Sequence, residues 1–133
     1  MGESLVGESF SELLHLVLRC DNEAPSAVRE RLDEIAAIEA IRLRAKLVAS
    51  ELVSNAVRHS ACEPTDEIVV RVSLSTHLFE IWVRDPGWSD NTPEVQEAPD
   101  IGGLGLAIVD REAYRWGSVR SEGRVVWAQL TLN

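Results

Sequence analysis

The chain has 133 residues, 45% apolar and 26% charged, with a formal net charge of −9 at pH 7. That length suits one hydrophobic core and is short for two, so a single domain over residues 1–133 is expected. The acidic balance argues against nucleic acid or an anionic membrane surface as a partner, because both recruit clustered Lys and Arg, and no apolar run approaches the ~18–20 residues that span a bilayer.

The opening residues MGESLVGESFSE lack a basic region followed by an apolar stretch. No secretory signal is read there, and a cytoplasmic location is expected. Cys20 and Cys62 have neither metal-ligand spacing nor a cysteine-rich context, which favours buried reduced thiols. Lys46 is the sole lysine and follows no glycine loop. A P-loop, which needs its phosphate-binding lysine, is therefore excluded.

In chain order, residues 11–19 alternate Leu14, Leu16 and Leu18 with His15, Val17 and Arg19, the period-two pattern of a half-buried strand. Val28, Leu32, Ile35 and Ala36 then recur at helical spacing over residues 27–37, with Pro25 and Ser26 suited to a first turn. A second and longer helix is predicted over residues 40–61 from the stripe Ile41, Leu43, Leu47, Val48, Leu52, Ala56 and Val57. It must stop before Pro64, whose ring disfavours helical geometry in the residue ahead of it.

EIVVRVSL (67–74) and LFEIWVRD (78–85) read as a β-hairpin. Residues 86–100 hold three prolines and four acidic residues and no basic one, which reads as a mobile acidic loop. It leads into IGGLGLAIVDREAYRWG, where three glycines precede an apolar helical stripe of Leu106, Ile108, Val109 and Ala113. Two closing strands are predicted near 118–121 and 124–132, turning at Glu122 and Gly123. The order implies an α+β two-layer sandwich, a mainly antiparallel sheet with helices on one face.

Three stretches fit poorly with structure alone. In ELVSNAVRHS, Glu51 and Asn55 lie four apart and share a helical face that His59 extends by a turn. A carboxylate and an amide at the edge of a core need partners, since an unpaired buried polar group costs ~1–3 kcal/mol. The plain alternative is the polar stripe of an amphipathic helix. In IWVRDPG a strand end fixes the Asp85 carboxylate where it could accept from an exocyclic amine, and Gly87 would let a flat ring approach the backbone. Here the alternative is a simple turn. In GGLG, Gly102 to Gly105, free amides and glycines at a helix start could cradle phosphate. A flexible connection is the competing reading, and the dinucleotide-binding pattern G-x-G-x-x-G is absent.

Taken together and in this order, the three motifs resemble those of the GHKL superfamily of ATP-binding domains, shared by histidine kinases, gyrase-type and mismatch-repair ATPases and anti-sigma-factor serine kinases. ELVSNAVRH is similar to the N box, RDPG to the first glycine box and GGLGLAIVD to the second. The ending GLAIVDREAYRWG…GRVVWAQL is most similar to bacterial anti-sigma regulatory factors. The resemblance implies the histidine-kinase-like ATPase fold, with ATP and Mg²⁺ as cofactors. Asn55 would coordinate the metal, and Glu51 would be the base that deprotonates the attacking hydroxyl. Asp85 would accept from the adenine amine and Gly87 would border the ring. Gly103, Leu104 and Gly105 would meet the phosphates, and His59 is either a packed histidine or a further site residue.

The sequence departs from that pattern in three places: Ser89 stands where a second glycine is usual, residues 88–101 are short and acidic, and Arg124 and Val125 occupy positions where relatives often carry a threonine. Two functions follow from the resemblance. One is a Mg-ATP-dependent serine kinase that binds a sigma factor and phosphorylates an anti-sigma factor antagonist, with a homodimer expected through the exposed side of the first strand. The other is a non-catalytic binding module with weak or no ATP binding. A histidine-kinase catalytic fragment ranks below both, because none of His15, His59 and His77 sits on a dimerisation helix pair.

Overall fold

The computed structural model describes residues 9–60, 62–87, 106–120 and 122–132. Their elements are β1 (Ser11–Arg19), α1 (Ala24–Asp33), a 3-10 segment (Ala36–Ile41), α2 (Arg42–His59), β2 (Glu67–Leu74), β3 (Leu78–Asp85), α3 (Leu106–Glu112), β4 (Arg115–Arg120) and β5 (Arg124–Thr131). The five strands form one sheet in the order β1-β2-β3-β5-β4, and every neighbouring pair is antiparallel. This is the α+β architecture expected from the sequence. Among the described residues no helix is long and apolar enough to cross a membrane.

The register sorts side chains cleanly. Leu16 pairs with Val70, Val70 with Val83, Val83 with Val126 and Val126 with Ser118, so one row crosses all five strands on the helix side. The next row runs through Val72, Ile81 and Ala128, and all three are buried. On the opposite face Trp82 lies directly across from Trp127, with Arg71 and Arg84 stacked 5.4 and 4.9 Å from the Trp82 ring centre. Cation–π contact of this kind holds long side chains against an open sheet face.

Helix α1 opens with Pro25 in its first turn and buries Val28 and Leu32, four residues apart. Full burial of such a side chain contributes ~1.5–3 kcal/mol. The helix expected over residues 27–37 ends at Asp33, and the chain then makes a 3-10 segment in which Ile38 leaves helical geometry and places its side chain in the core. Helix α2 presents Ala45, Val48, Ala49, Leu52, Val53 and Ala56 to the sheet. Three alanines in that stripe let the helix lie close to the strands beneath.

Two further expectations need correction. The strand β4 starts at Arg115 rather than near Ser118, soon after the helix that ends at Glu112. Trp116 accounts for the change: it sits opposite Ala128 on the helix side, packs against the core and donates its indole N–H to Asp110 at 2.9 Å. The second concerns the cysteines, which are not reduced thiols: Cys20 and Cys62 form a disulfide across a sequence separation of 42. Antiparallel pairing of β1 with β2 brings them together, and Cys20 N–H donates to the Asp66 carbonyl at 3.0 Å. Spacing along the chain carried no sign of this contact.

Candidate functional site

Asn55 belongs to the buried side of α2 and is only 3% exposed, whereas Glu51, one turn earlier, is half-buried at the edge. Their shared face is therefore the one that turns toward the sheet, as the four-residue spacing implies. His59 is the last residue of the same helix, which stops as Ser60 becomes extended.

The strands supply the rest through parity. In β3 the core-facing positions are Phe79, Ile81 and Val83, and the next position on that side is Asp85. In β5 they are Leu130, Ala128 and Val126, and the next is Arg124. Asp85 and Arg124 are cross-strand partners, so two apolar rows end in an acid and a base side by side beneath α2.

One nitrogen ties the three residues together. Arg124 Nη2 donates to Asp85 Oδ2 and to Asn55 Oδ1, each at 3.1 Å. The other carboxylate oxygen, Oδ1, accepts the Gly87 N–H at 2.7 Å. Gly87 has φ +95°, where a side chain is strained, and a Cβ there would meet the Gly123 Cα at 3.2 Å. Gly123, at φ +102°, has no room for a Cβ beside the Asp85 carbonyl, so the exit of β3 and the β4–β5 turn fit only as two glycines.

Burial dominates the electrostatics. It pushes the Asp85 carboxyl above its usual range, against the opposing pull of the Arg124 charge, the Gly87 N–H and the Arg124 hydrogen bond. It likewise pulls the Arg124 guanidinium down from its ordinary value, although Asp85 favours the charged form. Both partners say that the desolvation of this pair exceeds what the pairing returns, as is common for buried ion pairs.

Of the residues singled out from the sequence, Asn55, Asp85 and Gly87 converge on one place, with Glu51 on the helical turn beside it. Gly103, Leu104 and Gly105 lie outside the described residues, as does most of the acidic stretch. Arg124 joins the site as a residue that motif reading noted only as a departure. A signal was available: a charged residue that continues the alternation Val126, Ala128, Leu130 must point into the helix-covered side. A buried carboxylate and an amide oxygen that already share a cation suit a ligand bearing both an amine and a hard metal ion. In that sense the donors fit an adenine nucleotide with Mg²⁺.

An antiparallel sheet with helices on one face and polar groups gathered where its core rows end defines a two-layer α+β domain. The family model described as histidine kinase-like ATPase domain matches residues 16–130, and the chain belongs to that family. Among solved structures it is similar to the RsbU and RsbW domains of Rv1364c from Mycobacterium tuberculosis, with a TM-score of 0.62 and 25% identity over 89% of this chain. The match takes in 31% of that chain, so the present sequence spans about a third of it. A comparison with curated proteins finds no match.

Proposed function

We propose that this chain is an ATP-binding regulatory domain of the anti-sigma type, a protein serine kinase that acts on an anti-sigma factor antagonist and holds a sigma factor by partner switching. The observation that carries this reading is the convergence of Asn55 from α2 and Asp85 from β3 on one guanidinium, with Glu51 a helical turn from Asn55. The structural likeness to a chain with an RsbW domain supports the regulatory part of the reading.

In this reading Asp85 accepts from the exocyclic amine of adenine and Asn55 offers its amide oxygen to the metal. Glu51 takes the proton of the attacking serine hydroxyl, while Gly103, Leu104 and Gly105 lie along the phosphates. Mg²⁺ would neutralise charge on the transferred phosphoryl group, the main demand of such chemistry. The remaining work is positioning, and α2 performs it by holding Glu51 and Asn55 at fixed spacing.

Calorimetric titration with ATP, with and without Mg²⁺, beside Asn55→Ala tests the reading. Metal-dependent binding that Asn55→Ala removes is the expected result. If Glu51→Ala also binds normally but no longer transfers phosphate to a serine protein, the kinase assignment follows. Absence of ATP binding at millimolar concentration would leave the second reading, a partner-sequestering module that does not use nucleotide. The hold of Arg124 on both acceptors favours that alternative.

A further inference from the structure

Resting on the nucleotide reading above, we infer that Arg124 sets ligand affinity at this site as an internal competitor, its guanidinium holding Asn55 Oδ1 and Asp85 Oδ2 until nucleotide and metal displace it. The two atoms it engages come from different elements and have different proposed duties, one toward the metal and one toward the base. A single nitrogen, Nη2, reaches both at 3.1 Å.

Three features make the competition effective. Arg124 is fixed directly opposite Asp85 by the β3–β5 register, so its local concentration near the site is set by the fold and does not dilute. Its guanidinium stays charged at neutral pH, and one nitrogen of it reaches both acceptors. A divalent cation cannot share the Asn55 oxygen with it, because two positive charges a few ångströms apart in a poorly solvated site repel strongly.

The competitor is also able to leave. The Arg124 side chain is 13% exposed beside an Asp85 side chain at 1%, so it is the less buried partner of the pair. Its long stem can swing outward without moving the strand. Because one displacement releases both acceptors, whatever removes Arg124 from Asp85 also frees Asn55, which couples the base end of the site to the metal end. Affinity is reduced by the fraction of molecules in which Arg124 is seated.

The test compares Mg-ATP and adenosine binding to the native chain and to Arg124→Gln, which keeps length and loses charge. Circular dichroism confirms the fold of each variant. Displacement predicts that Arg124→Gln binds Mg-ATP about tenfold tighter or more, and adenosine tighter too, since the competitor sits on the acceptor used by the base. Arg124→Lys, a cation without the guanidinium, should fall between the two and decides the matter if Arg124→Gln does not fold. Native binding with equal or weaker binding by the variant overturns the competitor role and leaves the nucleotide reading standing. Loss of ATP binding with adenosine unchanged overturns it as well, because Arg124 would then be a phosphate contact. If neither the native chain nor the folded variants bind ATP at millimolar concentration, both the competitor and the nucleotide reading fail.

Discussion

At the β1–β2 end of the sheet, Leu14, Ile68, Val70 and Val72 share one apolar core with Val28 and Leu32 of α1, and the disulfide between Cys20 and Cys62 closes the edge. At the β3–β5 end the same helix-facing rows run on into Asp85 and Arg124, and α2 adds Asn55 above them. Both ends are built on one alternation of side chains and covered by the same layer of helices. They differ in what the last positions hold. The first end spends its burial on hydrocarbon, which returns ~25 cal/mol per Å² without geometric demands. The second buries charge, which returns stability only if each partner stays in place and is often net unfavourable against an apolar replacement. A fold can tolerate such a region because the other end supplies the surplus.

The largest effect should come from opening the closed end. In the chain-entropy model a cross-link over 42 residues stabilises by about 4 kcal/mol. Reduction, or Cys62→Ser, is therefore expected to lower the urea midpoint by a matching amount. ATP titration of the reduced protein should be unchanged, because the disulfide belongs to the other end. An unchanged midpoint would mean that the cross-link does not constrain the unfolded chain, and the comparison would lose its stabilising half.

The polar end should respond next, and differently. Asp85→Ala leaves the Arg124 guanidinium buried without its carboxylate, and breaking such a pair from one side costs about 3 kcal/mol. Removing both charges in Asp85→Ala/Arg124→Ala should cost clearly less than the sum of the single changes. A double-mutant cycle measured by denaturant unfolding gives the coupling directly. Additive losses would show that the two side chains do not depend on each other, and the assignment of this end to a paired buried charge would be wrong.

Much of this division was legible in the sequence, and the part that was not has physical causes. The alternation of β3 and β5 and the stripe of α2 are local patterns, so the α+β architecture and the shared face of Glu51 and Asn55 could be read from spacing alone. The start of β4 could not, because nothing local marks a strand before Ser118, and the tertiary placement of Trp116 against the core is what brings Arg115 and Trp116 into the sheet. The disulfide depends on antiparallel β1–β2 pairing, a contact between distant positions that neither cysteine announces. Arg124 lay between these cases. Its parity was visible, yet its meaning needed the register that sets it opposite Asp85.

The smallest expected effect is one of sign. Burial is the foremost influence on Asp85 and raises its folded-state value, outweighing the Arg124 charge and the Gly87 N–H. Between the ordinary carboxylate value, ~3.9, and that raised value, the folded state thus binds more protons than the unfolded chain. Stability must then fall as pH rises through the window, since its slope follows the excess of protons bound in the unfolded state. The contribution is fully present below the unfolded value and is lost once Asp85 ionises in the folded protein. Arg124, although burial lowers its value, is a guanidinium that keeps its proton in proteins and does not enter. Urea unfolding at stepped pH, native against Asp85→Asn, isolates the effect: the native chain should lose stability relative to the variant across the window and run parallel above it. A gain in its place would mean that pairing with Arg124 exceeds the cost of burial, and the β3–β5 end would then be a stabilising region like its neighbour.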